Sequence, residues 1–300
     1  MTAGIRASAE TRVSAESARH ERRELSLLAE MQGIPRTPGS LDGAGTLAVR
    51  GVAILEDGST LDIAQTILNA DNAQGYGATL EIHGTGNTVN GAVSIESDGA
   101  YDGALLIGSA AGGNTGVTFT AGLTNGGIIL LDTSDVSPVD TTLTVTGGVL
   151  ANSGVINIVD GAGGGGNRTI DADIDNSGGE ITVSAPAMIE NTGHVFDTAT
   201  GTITVNGTNT LTINGGTTII GSGTELTDNV AGQIEFTGAA ILALESDTGI
   251  VATDPKILFG GQSDAVTVTT VDAGPYVFEI AAGATLNWPS TDRTQAAMPR

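Results

Sequence analysis

Leu123-Thr-Asn125-Gly-Gly127-Ile-Ile129 sets an apolar residue, an Asn, a Gly and a second apolar residue at alternate positions. The same frame returns as Leu150-Ala-Asn152-Ser-Gly154-Val-Ile156 and as Ile189-Glu-Asn191-Thr-Gly193-His-Val195. With one residue inserted it reads Ile174-Asp-Asn176-Ser-Gly178-Gly-Glu-Ile181, and more loosely Leu226-Thr-Asp-Asn229-Val-Ala-Gly232-Gln-Ile234. Self-similar units of this size cannot bury an apolar face alone and must stack on one another, which is the logic of a solenoid. Between the frames lie short alternating runs such as Thr142-Leu-Thr-Val-Thr146, Glu180-Ile-Thr-Val-Ser184 and Thr202-Ile-Thr-Val205. Period-two alternation over four or five residues marks half-buried strands, with Ile, Leu and Val inward and Thr and Glu outward.

Asn residues 125, 152, 176, 191, 214 and 229 are 27, 24, 15, 23 and 15 residues apart. The longer spacings suit one coil of a right-handed parallel β-helix, and the shorter ones suit two equivalent corners within a coil. Asn125, Asn152, Asn176, Asn191 and Asn229 are therefore expected to form a structural ladder at the corners. An Asn accepts a left-handed backbone, and its amide can bond to the coil above or below.

Composition agrees with a thin, aliphatic core. Of 300 residues only 3% are aromatic while 45 are Gly, so burial must come from stacked Ile, Val, Leu and Ala. The longest obvious core stretch is Ile128-Ile-Leu-Leu131. The chain carries a net charge of −23, and residues 37–300 hold 29 acidic against five basic side chains. Nucleic acids and anionic lipids are bound chiefly through Lys and Arg, so neither is an expected partner. There is no Cys, which removes disulfides, thiolate metal sites and Cys nucleophiles together. No apolar run approaches the roughly 18 residues that span a bilayer, so membrane insertion is not expected.

Residues 1–33 read as an N-terminal helical segment, because about Gly4 to Met31 is free of Pro and rich in Ala, Glu and Arg. Its apolar stripe is weak, since Ala15, Ala18, Leu25 and Leu28 share a side with Arg22. Residues 34–40 form a Pro/Gly linker, 41–288 the repeat domain, and 289–300 a disordered tail. Arg and Glu interrupt residues 1–32 throughout, so no signal-peptide core is visible there. Another export signal, a longer parent chain and an intracellular life all stay open.

The Ile-x-Asn-x-Gly-x-Ile frames among Thr/Gly-rich strands resemble the β-helical repeat regions of large bacterial surface adhesins, autotransporter passengers and filamentous-haemagglutinin-type exoproteins. The resemblance covers about residues 41–285. It implies an extracellular or cell-surface module that works by shape, by self-association or by holding a host or cell-surface ligand, with no catalysis and no cofactor.

Several groups carry chemistry worth weighing against that reading. Asp171-Ala-Asp173-Ile-Asp175 places oxygen ligands at alternate positions, as calcium loops do. Yet Asn176 occupies the position where an EF-hand loop needs Gly, and no Glu stands at the twelfth. Because Ile170, Ala172 and Ile174 alternate with the Asp residues, the carboxylates are expected on the wet face of a strand, with calcium as the alternative. Gly161, Gly163 and Gly166 fit a dinucleotide fingerprint only formally, since Arg168-Thr-Ile-Asp follows in place of a helix.

His20, His83 and His194 are far apart in sequence and form no recognisable catalytic grouping. Asp98 and Asp102 around Gly99 and Tyr101 are the one acidic-aromatic grouping suited to sugar chemistry, and a carbohydrate-active β-helix, polysaccharide-cleaving or glycan-binding, is the runner-up. A self-assembling sheath or surface-layer subunit is a third reading. Thr-x-Thr pairs recur at Thr118/Thr120, Thr142/Thr144/Thr146 and Thr202/Thr204. Aligned on one face they would resemble the ice-binding surface of some β-solenoids, but Thr is favoured on any exposed strand face.

Overall fold

The computed structural model describes residues 24–25, 40–49, 52–70, 77–108, 113–132, 139–160, 165–221, 224–228, 232–244, 256–259, 265–270, 278–280 and 285–287. It divides into two compact units, one made of Met1–Val155 with Asp160–Gly166, the other of Ile156–Val159 with Asn167–Arg300. Both are parallel β-solenoids, and among the described residues there is no helix.

The first unit contains β1 (Glu24–Leu25), β2 (Ser40–Val49), β3 (Val52–Leu55), β4 (Thr60–Leu68), β5 (Thr79–Ile82) and β6 (Asn87–Ile95). It continues with β7 (Ala104–Ile107), β8 (Thr115–Phe119), β9 (Leu123–Asn125), β10 (Ile128–Leu131), β11 (Thr141–Val145) and β12 (Leu150–Asn152). One parallel sheet runs β2–β4–β6, and β6 then pairs with both β8 and β9 because later coils break the long strand at a corner. β11 and β12 stack on β8 and β9. The facing sheet runs β3–β5–β7–β10.

The second unit starts within β13 (Val155–Ile158), whose first residue belongs to the first unit. It goes on through β14 (Arg168–Asp171), β15 (Ile174–Asp175), β16 (Glu180–Val183), β17 (Ala187–Glu190), β18 (Val195–Asp197), β19 (Thr202–Val205), β20 (Thr210–Asn214) and β21 (Thr217–Ile220). Then follow β22 (Glu225–Asp228), β23 (Gln233–Thr237), β24 (Ile241–Leu244), β25 (Lys256–Phe259), β26 (Ala265–Thr270), β27 (Phe278–Ile280) and β28 (Thr285–Asn287). Two ladders, β14–β17–β20–β23–β25–β27 and β15–β18–β21–β24–β26–β28, form one face. β16, β19 and β22 form the other.

In-register stacking turns the alternation of the sequence into rows of buried apolar side chains. Leu61, Val89, Phe119 and Val145 make one row in the first unit, and Ile170, Ile189, Ile213 and Phe236 another in the second. Each such side chain contributes about 1.5–3 kcal/mol by leaving water.

The Gly of the repeated frame serves two different ends. A side chain on Gly127 would overlap the carbonyl of Gly103, and one on Gly154 would overlap the carbonyl of Gly127, so close approach of successive corners demands Gly there. Gly178 and Gly193 meet no neighbour but have φ of +78° and +81°, a left-handed backbone that an L side chain resists.

The expected N-terminal helix falls outside the described residues except at Glu24 and Leu25. Those two are strand, pairing in parallel with Thr46 and Leu47, and so correct the helical reading at that point. β2 would otherwise present an unpaired row of backbone groups, and satisfying such an edge outweighs the modest helix propensity of two residues. The final segment 289–300 also lies outside the described residues.

Candidate functional site

Asn125 and Asn152 are the last residues of β9 and β12, in register and buried. Asn125 Nδ2 donates to Asn152 Oδ1 at 2.7 Å and to the Val155 carbonyl at 3.2 Å. The amides of Ser153 and Gly154 donate to the Asn125 carbonyl at 2.8 and 2.9 Å, so the corner backbone is satisfied as well. At the same register position the two preceding strands carry Leu68 and Ile95. With Val49 in register before them, one interior column thus changes from aliphatic to amide after three coils.

In the second unit, Asn176 follows β15 and donates from Nδ2 to Thr198 Oγ1 at 3.3 Å and to the Thr202 carbonyl at 3.5 Å. Thr224 Oγ1 donates in turn to the Thr198 carbonyl, so this column continues as Thr. Asn191 stands at a different corner, between β17 and β18. Its Nδ2 donates to the carbonyls of Gly215 and Thr217 at 3.3 and 3.1 Å. Asn176 and Asn191 therefore belong to separate columns, as the short 15-residue spacing allows. Asn229 lies outside the described residues.

Sequence reasoning passed over Asn87, the first residue of β6. Its Oδ1 accepts from the Ser59 amide at 3.0 Å, while Nδ2 reaches the carbonyls of His83, Gly84 and Gly116 at 3.0, 3.2 and 3.3 Å. The available signal was Gly84-Thr-Gly86-Asn87 immediately before an alternating strand. Arg168, which opens β14, is the largest fully buried side chain among the described residues. Nothing in its sequence neighbourhood announces that, since Arg is among the residues least often buried.

The three Asp residues of the calcium candidate do not converge. Asp171 Oδ1 lies 3.2 Å from His194 Nε2, and Asp173 Oδ1 lies 3.4 Å from His194 Nδ1 while accepting from the Val195 amide at 2.8 Å. Asp175 turns instead to its own corner, accepting from the Ser177 amide at 3.0 Å. Among the described residues, no group of three or more His, Asp or Glu is placed to hold a metal ion.

Beside this cluster Glu190 pairs in register with Asp171 and accepts from Asn214 Nδ2 at 2.8 Å. Burial works to raise its pKa, but hydrogen bonds from the Thr192 side chain, Asn214 and the Thr192 amide, with the nearby His194, hold the carboxyl below the usual Glu range. His83 shows the same kind of arrangement in the first unit, with Nε2 3.3 Å from Glu81 and Nδ1 3.8 Å from Glu56.

Asp98 and Asp102 close a short exposed loop between β6 and β7. Asp98 Oδ1 accepts from the amides of Ala100 and Tyr101 at 2.8 and 2.7 Å, while Ser97 and Asp102 form an antiparallel bridge. The Tyr101 amide foremost, with that of Ala100, holds the Asp98 carboxyl below the usual range. That carboxylate caps a turn. His20, Gly161 and Gly163 lie outside the described residues.

Outward positions form rows as regular as the inward ones. In the first unit Thr60, Thr88, Thr118 and Thr144 stand in register on four successive strands. In the second unit, Thr182 pairs with Thr204, but the row Met188, Thr212, Glu235 mixes side-chain types. Ile128–Leu131, read as a core stretch, is core at alternate residues only. Ile129 and Leu131 are buried, whereas Ile128 and Leu130 point outward, because a strand cannot turn consecutive side chains to one face.

No helix among the described residues is long and apolar enough to cross a membrane, which leaves β-barrel spans unaddressed. No family model, curated protein or solved structure matches this chain. Its likeness is to an architecture, the parallel β-solenoid, and not to any particular protein.

Proposed function

We propose that the chain is a non-catalytic structural or adhesive module of the cell surface or extracellular space, acting through the regular outer faces of its solenoid units. The observation that carries this reading is the in-register row of Thr60, Thr88, Thr118 and Thr144. It repeats one chemical group at strand spacing, about 4.8 Å, and so suits extended contact better than chemistry at a point. Asp98, one of the two carboxylates that raised the enzymatic alternative, supports the same view, since it is committed to backbone amides of its own turn. Its partner is a host or cell-surface ligand, or another copy of the chain.

The test is to immobilise the purified chain and measure retention of cells and of soluble polysaccharides, with and without Thr88→Glu and Thr118→Glu. Binding that falls with these outer-face changes while circular dichroism is preserved supports the module. Depolymerisation of a polysaccharide by the parent chain, abolished by Asp98→Asn with Asp102→Asn, would move the protein to the carbohydrate-active class.

A further inference from the structure

We infer that the outer face of the β3–β5–β7–β10 sheet carries an apolar strip, centred on Leu106 and Leu130, through which two copies of this chain associate; the inference rests on the module reading above and names its partner and surface. Elsewhere on the first unit, outward rungs are mostly Thr, Asn, Asp or small. Here they read Ala104 and Leu106 on β7, then Ile128 and Leu130 on β10, in register as Ala104 with Ile128 and Leu106 with Leu130. Val52 and Ile54 occupy the same two columns on β3, with Thr79 and Glu81 between them on β5. Val155 continues past Ile128, its amide donating to the Gly127 carbonyl.

β7 and β10 are thus apolar on both faces, Leu105, Ile107, Ile129 and Leu131 being buried beneath. A parallel strand with this pattern belongs to a sheet covered on both sides, whereas a solvated outer face selects alternation with polar residues. β11 shows the solvated pattern in the same unit, with Thr142 and Thr144 outward.

Charge selects the occupant. A chain of net charge −23 repels its own copies wherever carboxylates meet, and this strip holds one carboxylate, Glu81, which lies 3.3 Å from His83. Two strips related by a twofold axis between the Leu106 and Leu130 rungs set Leu106 of one copy against Leu130 of the other. The two Glu81 side chains then stand about three strand spacings apart, roughly 14 Å, beyond the Debye length of about 8 Å at physiological salt. An anionic lipid surface would meet the surrounding carboxylates with no such escape. A contact this narrow is at the small end of stable interfaces, so the association is a concentration-dependent equilibrium.

Light scattering across a broad concentration range tests it. The parent is expected to pass from one to two chain masses, and Leu106→Thr with Leu130→Thr, which imitates the outer face of β11, is expected to stay at one with an unchanged circular dichroism spectrum. Because the chain has no Cys, a mixture of Leu106→Cys and Leu130→Cys chains should be joined by a bifunctional maleimide that spans the roughly 10 Å between facing sheets, and a Thr118→Cys chain should not. A parent that is monomeric throughout, a dimer untouched by the double Thr change, or equal cross-linking through Thr118→Cys overturns the inference. Surface binding is read separately, so a monomer that still adheres sinks this inference alone, and a dimer that fails to adhere sinks only the adhesive reading.

Discussion

Asn125 Nδ2 donates to Asn152 Oδ1 at 2.7 Å, in an interior column where the preceding coils carry Leu68 and Ile95 at the same register. Removing one amide of a buried pair costs the other a hydrogen bond, although Asn125 keeps the Val155 carbonyl, while removing both with apolar replacements of similar shape costs less than the two losses together. Asn152→Leu is therefore expected to cost about 1–2 kcal/mol, and Asn125→Leu with Asn152→Leu less than the sum of the two single changes. Urea denaturation of the four chains in the cycle measures it, and simple additivity would count against the pair.

Gly127 and Gly193 occupy the same place in the repeated frame, but should respond differently to substitution. Gly127→Ala drives a methyl into the Gly103 carbonyl and is expected to cost well over the roughly 1 kcal/mol typical of a point change. Gly193→Ala meets no atom and costs about 1–2 kcal/mol through its left-handed backbone, and Gly193→Asn should recover part of that. Equal losses for the two Ala variants would show the distinction to be wrong.

Glu190 gives a pH dependence of known sign. Its folded-state pKa is depressed, so its contribution to stability is present above the ordinary Glu range and is lost as pH falls through the lower folded value. The stability of the parent and of Glu190→Gln should differ near neutrality and converge on acidification. Its partial exposure keeps the effect small. A gap that widens toward acid pH would reverse the assignment.

Asp98 should matter to its loop and not to the whole fold. Asp98→Ala is expected to speed hydrogen exchange at the Ala100 and Tyr101 amides, leaving exchange in β6 and β7 unchanged. Unaltered exchange at both amides would mean that the carboxylate does not hold the turn.

Calcium should add nothing specific. Because Asp171 and Asp173 are turned to His194 and Asp175 to Ser177, calcium is expected to shift the unfolding midpoint no further than magnesium at equal ionic strength. A shift particular to calcium, removed by a chelator and by Asp173→Asn, would reinstate the site.

The parallel solenoid was legible because alternation and the Asn-x-Gly frame are local patterns, and stacking makes local patterns cumulative. What the pattern cannot encode is which corner a frame occupies. Asn176 and Asn191 look alike in sequence, yet one caps the turn into β16 and the other the turn into β18. Asn87 escaped because its side chain also reaches Ser59 and Gly116, 28 and 29 residues away on other coils, and nothing near Arg168 in sequence signals its burial. Ile128–Leu131 was misjudged for a related reason, since four apolar residues in a row do not reveal which of them lack a covering layer. The Asp171–Asp175 group was read correctly as alternating with buried Ala172 and Ile174, but the approach of His194 from the next coil left no trace in spacing.

Among the described residues of each unit, strands pair with the rungs immediately before and after them. Such a chain has no central keystone. A flaw in one rung weakens two interfaces and leaves more distant ones intact, so sequence drift is tolerated rung by rung, and a lineage can lengthen or shorten the molecule by whole turns without redesigning what remains.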